Sequence, residues 1–409
     1  MTLPRLIFVN RVYHPAEAAT AQLLTDLTTA LAARGHDVHV VAAGPGPAAH
    51  LGVTVHRTGD ASPRTGLLAK AGDYSGFVQG ARRILASLVR PGDLVVLKTD
   101  PPLLAAFATA LVRRRGGRTV QWVQDIYPEI IPRHLGAWAA PFVFPLQAWR
   151  NRAWRHSAAI VGVGEDMAVT LRDAGLTPDR IAVLPNWAPR ELDDPPDPAS
   201  VRAQRARWGL DGRLIAAYSG NLGRVHEFAT LLGAARRLRD RPEIAFLFIG
   251  SGPRYATVQA AARREGLPNV FFQPPQARAD LAASLAAADA HFVTLLPGYE
   301  RLVNPSKLAG VLAAGRPALF VGAPDCANAR MLAAAGAGWS FSPGDSAGLA
   351  DRLAALQADP ALAAQTGAAA RRLHGRDFAF AAAVTRWEDL LRRAAAPGKG
   401  DLPSPRQAT

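Results

Sequence analysis

The sequence predicts an α/β protein of two doubly wound parallel sheets facing a cleft, with the C-terminal helix returning to the first domain. Three observations carry that expectation. Short apolar runs alternate with amphipathic stretches, which is the pattern of parallel strands covered by helices on both faces. The alternation stops at Asp193-Asp194-Pro195-Pro196-Asp197-Pro198 and then restarts, which marks a linker. A chain of 409 residues is too long for one core and suits two domains of roughly 150–200 residues.

In the first half, strands are expected at 6–10, 37–42, 93–97, 118–124, 158–163 and 181–184. Helices are expected at 18–34, 75–89 and 102–115; in the first of these Leu23, Leu24, Leu27 and Leu31 fall on one face. In the second half, strands are expected at 214–219, 243–249, 269–273, 290–295 and 318–321, with helices between them. A last helix at 378–393 carries Trp387, Leu390 and Leu391 at core spacing. The resulting division is a first domain over 1–190, a linker over 191–213, and a second domain over 214–376. A crossover helix over 377–395 and a disordered Pro/Gly-rich tail over 396–409 complete it.

Composition narrows the function. At 49% hydrophobic residues the chain is globular. A single cysteine, Cys326, excludes a disulfide framework and any cysteine-based zinc site. No window of about 20 residues is apolar and uncharged, so no helix is expected to span a membrane. Met1-Thr2-Leu3-Pro4-Arg5 runs straight into the first strand without a leader pattern, so a cytoplasmic protein is expected. The net charge of +14 invites nucleic acid, an anionic membrane surface or a phosphorylated substrate as partner. Arg-rich, Lys-poor usage reflects a GC-rich genome, which accounts for part of that charge.

Three segments at strand ends of the second half point to phosphate. Asn304-Pro305-Ser306-Lys307 opens a helix, with Asn304 expected as the N-cap and Pro305 as the first helical residue. A helix mouth attracts phosphate through its free N–H groups, and Lys307 adds a full charge. The bland reading is an ordinary capped helix with a solvated lysine. Tyr218-Ser219-Gly220-Asn221-Leu222-Gly223-Arg224 and Ile249-Gly250-Ser251-Gly252-Pro253-Arg254 follow two successive strands. Their glycines permit close backbone approach, and Arg224 offers a fork to phosphate oxygens. Neither has the spacing of a dinucleotide fingerprint, which argues against NAD.

These residues resemble the donor domain of family 4 glycosyltransferases with a GT-B fold, in the bacterial branch of colanic-acid and fucosaminyl transferases. The likeness covers Tyr218–Arg224 with His226-Glu227, residues 250–253, 268–270 and 289–295, and above all Pro305-Ser306-Lys307-Leu308 with Gly310 and 313–317. In the first half, Tyr13-His14-Pro15, 19–27, 34–38, 122–129 and Pro185-Asn186-Trp187 are similar too. The resemblance implies a nucleotide-diphosphate sugar as donor, a UDP-sugar favoured, with retention of configuration and no other cofactor. Arg224 and Lys307 would neutralise the leaving diphosphate, together with N–H groups around Gly220, Asn221 and Gly223, and with His226, Gly250, Gly252, Pro305 and Ser306 alongside. With two fixed cations, and with no Asp-x-Asp in the chain, no metal is implied. One departure stands out. The two glutamates that many members carry would fall at Leu302 and Gly310, so both are missing. Glu300 lies nearby as a candidate for the donor sugar, or as a solvated loop carboxylate.

On the first half, Asp125 and Glu129 sit just past a strand, where relatives carry polar acceptor-side residues. Asp125 is a candidate to orient or deprotonate the acceptor hydroxyl, and a helix cap is the alternative. His14 and Thr20 are further acceptor-side candidates. Residues 130–164 contain no acid but hold Arg133, Arg150, Arg152 and Arg155 among Trp138, Phe142, Phe144, Trp149 and Trp154. Aromatics beside arginines suit an anionic lipid surface, so Trp138, Trp149, Arg150, Arg152 and Trp154 are expected to touch membrane. A buried helix is the alternative, and no nucleic-acid module surrounds the stretch. The expected protein is thus a peripheral transferase on the inner membrane face with a lipid-linked or saccharide acceptor. A sugar-nucleotide 2-epimerase of the same architecture and an inactive nucleotide-sugar-binding protein remain open alternatives.

Overall fold

The computed structural model describes residues 3–59 and 67–396, which form two compact units. The first unit takes in Met1–Leu184, Arg301–Asn304 and Val384–Thr409. Its sheet comprises β1 Leu6–Val9, β2 Val38–Ala42, β3 Ala49–His50, β4 Val53–Arg57, β5 Leu94–Lys98, β6 Arg118–Val123, β7 Ala159–Gly162 and β8 Ile181–Val183. The order is β3-β4-β2-β1-β5-β6-β7-β8, and every neighbouring pair is parallel except β3 with β4. Helices α1 Ala19–Ala33, α2 Leu67–Leu88, α3 Leu104–Arg114, α4 Ile130–Leu135, α5 Ala140–Arg155 and α6 Glu165–Asp173 connect these strands. Parallel strands must return through crossovers, so both faces of the sheet are covered and the strands read as unbroken apolar runs. Leu6, Ile7, Phe8 and Val9 are all fully buried accordingly. Ile7, Val9, Val95 and Leu97 pack against Leu85 of α2 and Leu104, Ala108 and Val112 of α3.

The second unit takes in Pro185–Glu300 and Pro305–Ala383. Its strands are β9 Leu214–Asn221, β10 Ile244–Ser251, β11 Val270–Gln273, β12 Ala290–Thr294, β13 Ala318–Val321 and β14 Gly338–Phe341. They run parallel in the order β11-β10-β9-β12-β13-β14. Helices α7 Pro198–Trp208, α8 Ala229–Arg237, α9 Tyr255–Arg264, α10 Leu281–Ala287, α11 Lys307–Ala313, α12 Ala327–Ala335, α13 Ser346–Ala358 and α14 Pro360–Leu373 belong to it. Alternate residues of β9 and β10 feed separate cores. Ala216, Tyr218, Phe246 and Phe248 enter one cluster, and Ile215, Ala217, Ala245, Leu247 and Ile249 enter another.

α15, Phe380–Ala395, begins in the second unit, and from Val384 onward it counts with the first, as the sequence led one to expect. Trp387 lies 4.6 Å from the Trp122 ring, and Glu388 accepts from Arg34 at 2.6 Å and His36 at 2.9 Å. The segment 301–304 is likewise part of the first unit: Ile126 N–H donates to the Leu302 carbonyl at 2.8 Å, and Asn304 Nδ2 to the Val163 carbonyl at 2.9 Å.

Three expectations need correction. The stretch expected as a linker contains α7, because Asp197 caps it by accepting from Ser200 N–H and Pro198 opens it without losing a needed donor. The edge strands β3 and β14, and β4 next to β3, were not anticipated. Asn304 caps no helix: α11 starts at Lys307 with Ser306 at the N-cap, since the Asn304 amide is engaged with Val163. The expected tail beyond Ala396 lies outside the described residues.

Candidate functional site

In the second unit the chain leaves β9 outward to β10 and β11, then returns to the other side of β9 as β12. That reversal leaves an opening at the carboxyl ends of β9 and β12, where ligands of such sheets bind. Four side chains converge there. Tyr218 lies on β9, Thr294 ends β12, His226 follows β9, and Lys307 opens α11.

Lys307 Nζ lies 2.5 Å from Tyr218 Oη, 3.3 Å from His226 Nε2 and 4.2 Å from the centre of the Tyr218 ring. His226 Nδ1 lies 2.6 Å from the Thr294 carbonyl oxygen. A carbonyl only accepts, so Nδ1 carries the proton and Nε2 faces Lys307 as an acceptor. Burial, with the Lys307 charge added, pushes His226 down to about 3, so the ring is neutral. Burial also pushes the Tyr218 hydroxyl upward, and this neutral phenol donates to the Asn221 carbonyl at 2.9 Å. Lys307 itself is pushed down to about 7 by desolvation alone. Although its side chain is partly exposed, its ammonium has no carboxylate in ion-pair reach among the described residues.

The glycines serve the same corner. Gly220 pairs with Gly250 across β9 and β10, and Gly220, Gly250 and Gly252 have φ of 125°, 136° and 128°. A Cβ on Gly250 would stand 2.1 Å from the Gly220 carbonyl oxygen, and one on Gly252 would stand 2.2 Å from Asn221 Oδ1. The two strand ends meet only because these positions lack side chains. Gly220 faces Lys307, whose Cε would lie 3.6 Å from an added Cβ. Gly223 lies beside His226 and Asn221.

Other expected donor-side residues are placed less directly. Arg224 is exposed, with no ion-pair partner among the described residues. The Leu222 N–H donates to the Ser251 carbonyl at 2.7 Å, so that amide is spent on the strand ends. Pro305 is buried and Ser306 exposed. Glu300 Oε2 accepts from Gly298 N–H at 2.8 Å, while its buried Oε1 has no partner. A solvated loop carboxylate does not describe it.

The first unit repeats the arrangement. Its sheet reverses between β1 and β5, and Lys98 ends β5 while Asp125 lies just past the end of β6. Lys98 is 2% exposed; its Nζ donates to the Thr20 carbonyl at 3.0 Å and lies 3.8 Å from the Trp122 ring centre. Burial pushes it down to about 7 against the opposing pull of Asp100 and Asp125. Asp125 is pushed up to about 6, by burial first and then by Asp100, with Lys98 opposing. Asp100 pairs with Arg11 at 3.0 Å. Tyr127 is pushed up to about 12 by burial and by Asp125. His14 stacks on His50 at 3.8 Å, and its carbonyl accepts from Arg57 at 2.6 Å. Neither Lys98 nor Asp100 was anticipated. Lys98 was nevertheless visible, because only four of the 47 basic Lys and Arg residues are lysine, and one of them closes the apolar strand Leu94–Lys98.

Glu129 is corrected from an acceptor-side residue to a structural one. Its carboxylate receives both Arg150 Nη1 at 2.5 Å and Arg150 Nη2 at 2.7 Å. Arg150 is 3% exposed and stacks 3.9 Å from the Trp154 ring, and Trp154 is 2% exposed. Neither Arg150 nor Trp154 touches a surface, because the i,i+4 spacing puts both on the inward face, where Arg150 meets Glu129. The outward face of this stretch instead presents Trp138 (67%), Phe142 (73%) and Phe144 (70%), with Trp149 and Arg152 also exposed. No helix is long and apolar enough to cross a membrane among the described residues. No group of three or more metal-ligating side chains gathers among them either.

Residues 19–187 match the family profile described as a glycosyl transferase 4-like domain, and residues 200–373 match glycosyl transferases group 1. The chain is 27% identical over 270 residues to a Pseudomonas aeruginosa protein named as glycosyltransferase WbjE, covering 65% of this chain and 66% of that protein. It is 31% identical over 217 residues to WcaI of Escherichia coli K12, named for colanic acid biosynthesis, covering 51% of this chain and 52% of that protein. The matches therefore span about half to two thirds of these relatives' own length. Among solved structures, HepE of Anabaena in complex with UDP and glucose superposes with a TM-score of 0.71 at 17% identity, covering 95% of this chain and 99% of that one. Sucrose-phosphate synthase of Thermosynechococcus elongatus gives 0.74 at 17% identity over 95% and 98%. These two likenesses establish the GT-B fold.

Proposed function

The chain belongs to the family 4 glycosyltransferases, and from that premise we propose that it moves a sugar from a nucleotide-diphosphate sugar to a lipid-linked saccharide in surface polysaccharide assembly. The observation that carries this reading is Lys307. A desolvated ammonium between a neutral phenol and a neutral imidazole lacks a counter-charge, and the leaving diphosphate supplies one. A UDP-sugar is the favoured donor, supported by HepE, which was solved with UDP-glucose. In the reaction the acceptor oxygen bonds to the anomeric carbon on the same face from which the diphosphate oxygen departs as its bond to that carbon breaks. The electron pair leaves on the diphosphate beside Lys307, and Asp125 orients the acceptor hydroxyl and takes its proton. Configuration is retained, and no metal ion takes part. Glu300 Oε1, buried without a partner, suits a hydroxyl of the donor sugar.

Lys307→Ala is expected to slow transfer about a hundredfold or more, the usual cost of removing a contact to developing charge. Near-normal turnover would place the diphosphate elsewhere. A thermal-shift screen of UDP-, GDP- and TDP-sugars identifies the donor, since a ligand at 100 times its dissociation constant stabilises by about 2.7 kcal/mol.

The protein works against the anionic inner face of the cytoplasmic membrane through the exposed edge of Trp138, Phe142, Phe144 and Trp149, with Arg152 beside it. Replacing Trp138 and Phe142 by Ser should release it from vesicles of anionic lipid at least about tenfold. Equal binding of this variant and the wild type would remove the membrane from the reading.

A further inference from the structure

We propose that Lys98 is a positioning residue for the Asp125 carboxylate, an internal cation that sets the pH at which the first unit can take a proton from the acceptor. This rests on the reading of Asp125 as the acceptor-side base.

The geometry is local to one sheet. β5 and β6 are parallel neighbours with Lys98 opposite Trp122, so their carboxyl ends deliver Lys98 and Asp125 to the same edge. The Thr99 hydroxyl accepts from Gln124 N–H at 3.2 Å and from Asp125 N–H at 3.5 Å, which ties the two strand ends together. Several elements contribute charged or titratable groups around Asp125. Lys98 comes from β5, Asp100 from the turn after it and Tyr127 from the segment after β6, with Tyr74 of α2 acting in turn on Tyr127. Arg11, after β1, is committed to Asp100. Residue 303 pairs with Asp125 through its backbone. With Arg11 engaged elsewhere, Lys98 is the cation among the described residues whose field reaches Asp125.

Lys98 is ill-suited to a purely structural part. Its polar contact is a single carbonyl, and its other neighbour is an indole face, which favours a cation but supplies no counter-charge. No carboxylate lies within ion-pair reach of it among the described residues, so keeping the ammonium buried is a cost that a methionine of similar shape would avoid. The residue type is informative as well. In a chain that uses arginine for nearly every cation, arginine here would be charged at every working pH. Lysine, once desolvated, titrates near neutrality, in the range where Asp125 also titrates. Two coupled groups of opposite sign then make the availability of the carboxylate depend on both.

The test uses the full chain and needs no acceptor. Urea unfolding of the wild type, Lys98→Met, Asp125→Asn and the double variant is measured from pH 5 to pH 9, giving a double-mutant cycle at each pH. A coupling between the two positions that is present near pH 7 and fades toward pH 5 is expected, because Asp125 loses its charge there. Lys98→Met should be at least as stable as the wild type. In consumption of UDP-glucose, or of whichever sugar nucleotide the thermal screen selects, its acid limb should move up by about one pH unit, since a cation that favours the carboxylate has gone. Lys98→Arg should restore the limb. Lys98→Gln separates the two roles: it keeps a donor for Thr20, so a structural lysine predicts wild-type behaviour and a tuning lysine predicts that of Lys98→Met. A pH-independent coupling, or a wild-type acid limb in both Lys98→Met and Lys98→Gln, overturns the inference. Undiminished turnover in Asp125→Asn overturns instead the reading of Asp125 on which it rests.

Discussion

Lys98 ends the strand β5 of the first unit, Lys307 opens the helix α11 after β12 of the second, and their surroundings treat them differently. Each sits at the carboxyl edge of its sheet, Lys98 on the strand that flanks the reversal in strand order and Lys307 on the helix after the corresponding strand. Burial pushes each down to about 7. Around Lys98, however, the protein provides Asp100 and Asp125, whose charges pull against that shift. Around Lys307 it provides a neutral hydroxyl and a neutral imidazole, and desolvation acts unopposed. A buried cation answered from within can tune a neighbour, whereas one left unanswered awaits an anion from outside. On the proposed reading, one residue type near the same edge of each sheet serves two chemistries. Its neighbours decide which.

The strongest test of that contrast is ligand response. Lys307→Met should abolish most of the stabilisation by UDP, equivalent to a loss of affinity of about a hundredfold or more. Lys98→Met should leave the UDP response intact. Thermal shifts across a UDP titration read both. Equal loss in the two variants would mean that the two lysines are not divided as their neighbours suggest.

A smaller effect appears in the pH dependence of stability. Both lysines have folded-state pKa values below the unfolded value of 10.5. The charged form is thus disfavoured by folding. The penalty is fully present below about pH 7 and is relieved as pH climbs toward 10.5, because the unfolded chain holds the proton longer. Stability should therefore rise across that window by at most about 1.4 kcal/mol per pH unit for each lysine. Each Met variant should lose its own share of the slope. Saturating UDP should remove the Lys307 share, since the bound anion restores its charge, and should spare that of Lys98. Urea unfolding at pH 7, 8, 9 and 10 with and without UDP checks this; a UDP-insensitive slope would break the contrast.

Much of this was legible in the sequence, and the parts that were not have physical reasons. Strands buried on both faces write themselves as runs such as Leu94–Lys98 or Ile244–Ser251, so the sheet cores and the restart of the second unit could be read. β4, Val53–Arg57, alternates apolar and polar residues over five positions, and β14 carries Gly338 and Ser340; neither announces itself. Lys307 was found because it stands at the mouth of a helix after an apolar strand, in a segment that also resembles a family. Lys98 has no such flank, and its meaning comes from Asp125, 27 positions away across a sheet neighbour. Arg150 and Trp154 were misread for a related reason. Mixed aromatic and basic composition does not say which face turns inward. That is decided by Glu129, 21 residues earlier, which draws Arg150 into the interior.

The smallest expected effect isolates what each aromatic ring does for its lysine. Tyr218 offers Lys307 both a hydroxyl at 2.5 Å and a ring face at 4.2 Å, whereas Trp122 offers Lys98 only a face at 3.8 Å. Tyr218→Phe keeps the face and removes the hydroxyl. That hydroxyl also donates to the Asn221 carbonyl, so it fixes both the lysine and the strand end beside it. Losing one neutral hydrogen-bonding group of this kind costs about 0.5–1.5 kcal/mol, so UDP affinity should fall by roughly two- to tenfold. Isothermal titration with UDP reads that change. Trp122→Phe likewise keeps an aromatic face but leaves space under Trp387, and its effect should fall on stability, by about 1–3 kcal/mol, with UDP affinity unchanged. If Tyr218→Phe leaves UDP affinity untouched, then the phenol does not set the lysine for the anion. The ring alone would then hold Lys307 as the indole holds Lys98, and the difference between the two sites would rest on the carboxylates of the first unit.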